Sequence, residues 1–158
     1  MVEFKTSACV HARFARPSDN SPMPFLWRSR VRFVDTDFST RIHYSALFRH
    51  FEIAETEFLR SLGVGYAHWF ERGYSLPRVH VEVDYIAPLR FDDEIEVEVR
   101  IARIGASSIT FDFRVIRTDD GADAARGRIV GVCIDVAAGT STPIPADIRE
   151  ALERSLVE

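Results

Sequence analysis

Apolar positions change period along this chain, and each change predicts an element. Trp27, Ser29, Val31 and Phe33 alternate with Arg28, Arg30 and Arg32, the two-residue period of a half-buried strand. Leu47, Phe51, Ala54, Phe58 and Leu62 then recur at steps of four, three, four and four, which is one face of a helix, and Gly63 supplies its stop. Phe48, Ile53 and Leu59 widen that face and predict a helix enclosed on several sides. Tyr66 to Arg72 predicts another turn or two of helix before Gly73.

After Pro77 the period returns to two. Val81, Val83 and Tyr85 form one run, Ile95 to Ile101 a second and Ile109 to Val115 a third. Gly127 to Val136 is more continuously apolar, which predicts a strand covered on both faces. Ile148, Leu152 and Leu156, after Pro145, predict a C-terminal amphipathic helix. Strand, enclosed helix, four strands and a last helix, with short connections, predict an α+β domain: an antiparallel meander curled around the first helix. Such a sheet leaves edges unpaired, so a homo-oligomer, dimer or tetramer, is expected.

The stretch Pro17 to Pro24 (PSDNSPMP) interrupts all periodicity, so residues 1–24 read as a flexible N-terminal extension and 25–158 as one domain. A chain of 158 residues, 46% hydrophobic and 28% charged, suits that count. The net charge of −4 argues against nucleic acid as a partner, because phosphate contacts need a basic surface. No run approaches the roughly 18 apolar residues of a membrane span. Cys9 and Cys133 lack metal-ligand spacing and are too few for a disulfide scaffold, so no metal or other cofactor is expected and the cytoplasm is the simplest location.

The densest polar cluster is Asp35-Thr36-Asp37, followed by Arg41, His43 and Tyr44, at the junction of the first strand and the long helix. A carboxylate there can attack a carbonyl or activate water, while unpaired N–H groups of the helix N-terminus hold an oxyanion. The same acids also suit turn and capping roles. Glu52, Glu55 and Glu57, at helical spacing beside arginines, read as surface or interface charges.

The stretch Val31 to Gly63, VRFVDTDFSTRIHYSALFRHFEIAETEFLRSLG, resembles the opening of hot-dog-fold acyl-CoA thioesterases of the 4-hydroxybenzoyl-CoA thioesterase superfamily. Val79 to Val99, VHVEVDYIAPLRFDDEIEVEV, resembles that family's next two strands. The resemblance implies a hot-dog fold and hydrolysis of acyl-CoA, or of acyl-carrier-protein thioesters. It implies Asp37 as the catalytic carboxylate, the backbone N–H near Tyr44 as the group polarising the thioester carbonyl, and Asp35 as an orienting residue. Relatives with a tyrosine-histidine pair use the histidine in catalysis; here the order is reversed, His43-Tyr44. Thr40 stands where the family carries a glycine. Some members hold the coenzyme A phosphates with a basic cluster between the third and fourth strands. Here that segment is Arg103-Ile104-Gly105-Ala106-Ser107-Ser108, so Arg78, Arg103, Ser107 and Ser108 are the substrate-binding candidates, one arginine of which could come from a neighbouring subunit. A hot-dog enoyl-thioester hydratase and a non-catalytic acyl-thioester-binding module are the alternatives.

Overall fold

The computed structural model describes residues 23–156. The expected extension therefore lies outside the described residues, apart from Met23 and Pro24. Strand β1 (Phe25–Arg30) leads through a 3-10 turn at Phe33–Asp35 into helix α1 (Ala46–Ser61) and a short α2 (Tyr66–Glu71). Strands β2 (Tyr74–Ser75), β3 (Arg78–Tyr85), β4 (Glu94–Ile104), β5 (Ser108–Arg117), β6 (Asp123–Val132), β7 (Ile134–Asp135) and β8 (Thr140–Ser141) follow, then α3 (Ala146–Arg154). The main sheet is antiparallel in the order β1-β4-β5-β6-β3, and a small second sheet has the order β2-β7-β8.

The main sheet curls around α1, the hot-dog arrangement. Leu47, Phe51, Ala54, Phe58 and Leu59 of α1 meet the inward residues of β4 and β5, from Ile95 to Val99 and from Ile109 to Val115, in one core. Phe51 stacks on Phe113 with ring centroids 4.6 Å apart. Gly127 of β6 makes this possible, because a Cβ there would run into the Phe51 ring. Leu62 ends α1, and Gly63 follows at φ 76°, the left-handed stop its position predicts.

Four expectations change. Phe33 does not continue β1: it lies in the 3-10 turn, 81% exposed, because Arg32 N–H and the Asp35 carboxylate close the turn at 2.8 Å. The meander covers only β4, β5 and β6; β3 lies beyond β6, at the edge opposite β1. The run from Gly127 to Val136 is split between β6 and β7, and β6 alternates buried and half-buried positions, with Gly127 admitting Phe51 of α1 and Gly131 admitting Leu76. Phe48 and Ile53 are exposed on different sides of α1, Phe48 beside β3 and Ile53 beside β1, so two flanks of the helix are open in the single chain.

Candidate active site

The segment between β1 and α1 is held from beneath by Asp35. Its carboxylate, buried, accepts hydrogen bonds from Arg32 N–H at 2.8 Å and the Arg49 guanidinium at 2.6 Å, and its carbonyl accepts His43 N–H at 2.7 Å. His50 Nε2 lies 3.3 Å from Asp35 Oδ2, and His50 Nδ1 is 3.1 Å from Ser29 Oγ. Burial alone would push the Asp35 carboxyl up, yet the Arg49 and Arg32 hydrogen bonds with the nearby His50 hold it below the usual aspartate range. For His50 the balance is struck differently: burial outweighs the attraction of Asp35 and pushes the imidazole below its usual range. Asp35 is thus a clamp that orients the loop.

Asp37 stands above this clamp in a tight turn. Thr40 N–H donates to the Asp37 carbonyl at 3.0 Å, and Asp37 N–H to the Arg41 carbonyl at 3.0 Å. Ser39 gives its N–H at 2.7 Å and its hydroxyl at 2.6 Å to the same oxygen, Oδ1, and among the described residues Oδ2 has no hydrogen-bond partner. The Ser39 hydroxyl first, then its N–H, hold the Asp37 carboxyl below the usual range, so it is ionised at neutral pH. Thr40 takes the missing glycine's part directly: it sits at φ 63°, in the left-handed region that β-branched residues seldom occupy. The aspartate-to-serine spacing of two residues is a turn signature that sequence reading could have used for Ser39.

His43 and Tyr44 occupy the approach to α1, their rings 4.3 Å apart. Ser45, the residue before the helix, makes no side-chain cap; its hydroxyl lies 2.8 Å from His43 Nδ1, and its N–H donates to the same nitrogen at 3.3 Å. Nδ1 is therefore an acceptor, which assigns the ring hydrogen to Nε2. Among the described residues the Tyr44 N–H forms no hydrogen bond, whereas the Tyr44 carbonyl accepts the Tyr85 hydroxyl from β3. The helix dipole adds positive potential at this end of α1. Tyr85 gave no sequence signal, because it pairs across forty-one positions.

The remaining candidates lie elsewhere. Arg78, at the start of β3, donates to the Glu55 carboxylate at 2.7 Å and to the Leu76 carbonyl and the Tyr66 hydroxyl. Glu55, expected on the surface, is fully buried: α1 turns it towards β3, and Arg78 with Tyr66 receives it. Arg103, exposed, with Ser107 and Ser108 sits at the β4–β5 turn, whose carbonyls at Gly105 and Ala106 accept from Arg149 of α3. β1 pairs with β4 from Arg30↔Glu94 to Phe25↔Val99, so this turn and Asp37 lie at opposite ends of β4, about 30 Å apart along the strand. The structure thus joins Asp37, His43 and Tyr44 and leaves the other four apart from them. No group of three or more His, Cys, Asp or Glu side chains that could hold a metal occurs among the described residues.

The sequence matches the thioesterase-like superfamily over residues 31–152, which contain the whole of this site. The chain belongs to that family, and the protein is a hot-dog enzyme of the thioesterase class. It is 33% identical over 131 residues to a protein of Aquifex aeolicus (strain VF5) named as an esterase, covering 83% of this chain and 99% of that one. It is 27% identical to the acyl-CoA thioester hydrolase YbgC of Escherichia coli O157:H7, over 70% of this chain and 82% of that one. The crystal structure of Slr0204, a 1,4-dihydroxy-2-naphthoyl-CoA thioesterase from Synechocystis, superposes with a TM-score of 0.76 at 22% identity, covering 81% of this chain and 94% of that one, a likeness of fold. No helix among the described residues is long and apolar enough to cross a membrane.

Proposed function

We propose that this protein hydrolyses acyl-CoA thioesters to free acid and CoA, with Asp37 as nucleophile or general base and the Tyr44 N–H as oxyanion donor. The observation that carries the reading is the pairing of two open groups in one short loop: the unbonded Oδ2 of an ionised carboxylate and a backbone N–H with no partner at a helix N-terminus. As base, Asp37 takes a proton from the water that attacks the thioester carbonyl; the tetrahedral oxyanion collapses, the C–S bond breaks and the thiolate of CoA accepts the proton. As nucleophile, Oδ2 attacks the carbonyl itself and expels the thiolate, and water then hydrolyses the mixed anhydride. His43, with its hydrogen on Nε2, serves as a second donor to the oxyanion rather than as a base.

Arg103, Ser107 and Ser108 could meet the CoA phosphates at this site only from a second copy, and the unpaired edge of β3, with Val79 and Val81 exposed, supports a homo-oligomer. Acyl groups on a carrier protein would present the same thioester to the loop. Release of free thiol from a panel of acyl-CoAs tests the reading. Loss of enoyl absorbance without thiol would instead show a hydratase, and binding without turnover an acyl-binding module.

A further inference from the structure

A groove of 530 Å³ runs along the β3 flank of α1, lined by Phe48, Glu52 and Glu55 on the helix, Val81 and Arg78 on β3, and Ile129 on β6. That volume is within the range of small-molecule sites. Phe48 stands in the first turn of α1, four residues beyond Tyr44, and Glu52 and Glu55 follow at steps of four and three, so the helix side of the groove is one stripe whose near end adjoins the proposed reaction site. β3 follows the same course. Tyr85 bonds the Tyr44 carbonyl at one end, Val81 lines the middle and Arg78 bonds Glu55 at the other.

Phe48, Leu76, Pro77, Val81 and Ile129 make the walls mainly apolar, with the Glu52 carboxylate at the rim, and at the far end Glu55, Tyr66 and Arg78 form a closed polar cluster. Both hydrogen bonds to Glu55 fall on Oε1: one from Arg78 at 2.7 Å, one from the Tyr66 hydroxyl. Among the described residues, Oε2 is buried without any partner. A carboxylate oxygen left dry is costly, and a groove whose walls are otherwise satisfied does not need one. Glutamate χ3 is a broad torsion, so a modest rotation presents Oε2 to the groove while Oε1 keeps its donors.

We propose that this cluster is a distal acyl subsite, and that the enzyme selects acyl thioesters carrying a hydroxyl near the far end of a medium-length chain, with Glu55 Oε2 accepting that hydroxyl. The inference rests on the hydrolase reading above. Arg78 already neutralises Glu55 and repels a cationic chain end, and Glu52 on the same wall repels an anionic one, whereas a neutral donor meets an empty acceptor. The length follows from the helix. Eleven residues from Tyr44 to Glu55 rise about 16 Å, and a carbon chain advances roughly 1.3 Å per bond, so the hydroxyl belongs on the order of ten carbons from the thioester. A plain alkyl chain of that length would fill the groove and seal Oε2 off unpaired.

The test compares kcat/KM for 10-hydroxydecanoyl-CoA and decanoyl-CoA in the wild-type protein, read as free thiol. The expected ratio is about ten- to a hundredfold in favour of the hydroxylated chain, and 4-hydroxybutyryl-CoA against butyryl-CoA gives a ratio near one because its hydroxyl cannot reach. In Glu55→Met/Arg78→Leu, folded by its melting transition, the decanoyl pair converges towards equal values. Equal turnover of the two ten-carbon substrates by the wild type leaves hydrolysis standing and overturns the inference. A preference that persists unchanged in the double variant overturns it too. Thiol release from none of the four overturns the hydrolase reading, and the inference falls with it.

Discussion

Asp37 and Glu55 are both carboxylates beside α1, and the fold treats them in opposite ways. Asp37 lies in a solvent-facing loop, where Ser39 holds it ionised from two residues away. Glu55 lies on the core side of the helix, where burial pushes its carboxyl above the usual range, and Arg78 from β3, followed by Tyr66 from α2, offsets only part of that. One charge is maintained by local turn chemistry, the other by three elements meeting. On the reading proposed above, the open Oδ2 of the first is the group for chemistry, whereas the second serves recognition and holds β3 against α1. Charge state alone therefore does not identify the reacting acid; the distinction lies in what surrounds the free oxygen.

The largest expected effect breaks the loop side of this comparison. Asp37→Asn keeps the shape and the Ser39 contacts to Oδ1 while removing the charge and the basicity, so kcat should fall on the order of 10² or more. Binding of a non-hydrolysable acyl-CoA analogue should persist, since the Tyr44 N–H and the groove are untouched. Near-wild-type turnover by a folded Asp37→Asn would remove Asp37 from the mechanism and turn attention to the helix acids.

The next effect falls on stability. Arg78→Ala leaves the buried Glu55 carboxylate uncompensated, and breaking such a pair from one side costs about 3 kcal/mol. Urea unfolding of the single variant measures the loss. Glu55→Met with Tyr66→Phe and Arg78→Leu, which replaces the whole cluster by apolar groups of similar size, should recover most of it. A loss below about 1 kcal/mol in Arg78→Ala would mean that the pair is solvated in the folded protein.

The clamp beneath the loop adds a pH dependence. His50 has a folded pKa below its ordinary 6.5, so the unfolded chain binds more protons between those two values. Stability is then lost as pH falls from about 6.5 towards the folded value, with a slope of at most about 1.4 kcal/mol per pH unit. Asp35, depressed below 3.8, acts in a separate window: its contribution is present above 3.8 and lost as pH falls through its folded value. Charges facing His50 come from Asp35, Arg49 and Arg32. Melting temperatures from pH 7 to 5 should decline in the wild type and flatten in His50→Gln. Parallel curves would assign the decline to other groups.

The same contrast accounts for how far the sequence could be read. Alternation in β4 and β5, the helical stripe of α1 and its Gly63 stop are short-range patterns, and each element stands where its period predicts. Asp37, His43 and Tyr44 fall within eight residues, so their grouping was legible too, with family resemblance supplying the roles. The edge position of β3 was not, because strand order depends on pairings such as Val83↔Gly127, far apart in sequence. Glu55 was misplaced for a related reason. Its neighbours Glu52 and Glu57 suggest a solvated face, and its actual partner Arg78 lies twenty-three positions away. Tyr85 and Tyr66 likewise act through contacts that no local spacing announces.

The smallest expected effect sharpens the local side of the comparison. Thr40 closes the Asp37 turn at φ 63°, where a β-branched side chain is strained and a glycine is not. Thr40→Gly removes that strain, worth on the order of 1–3 kcal/mol, but gives the unfolded chain back conformational freedom worth about 0.5–1 kcal/mol. The net should be a gain of roughly 1 kcal/mol in urea unfolding, with kcat close to wild type because Thr40 N–H still donates to the Asp37 carbonyl. Thr40→Ala separates the two contributions: it keeps the side-chain restriction on φ while relieving only the branching, so it should gain less than glycine. If Thr40→Gly instead destabilises, the threonine is holding the loop through its side chain, and the turn around Asp37 depends on more than the backbone conformation that a glycine would supply.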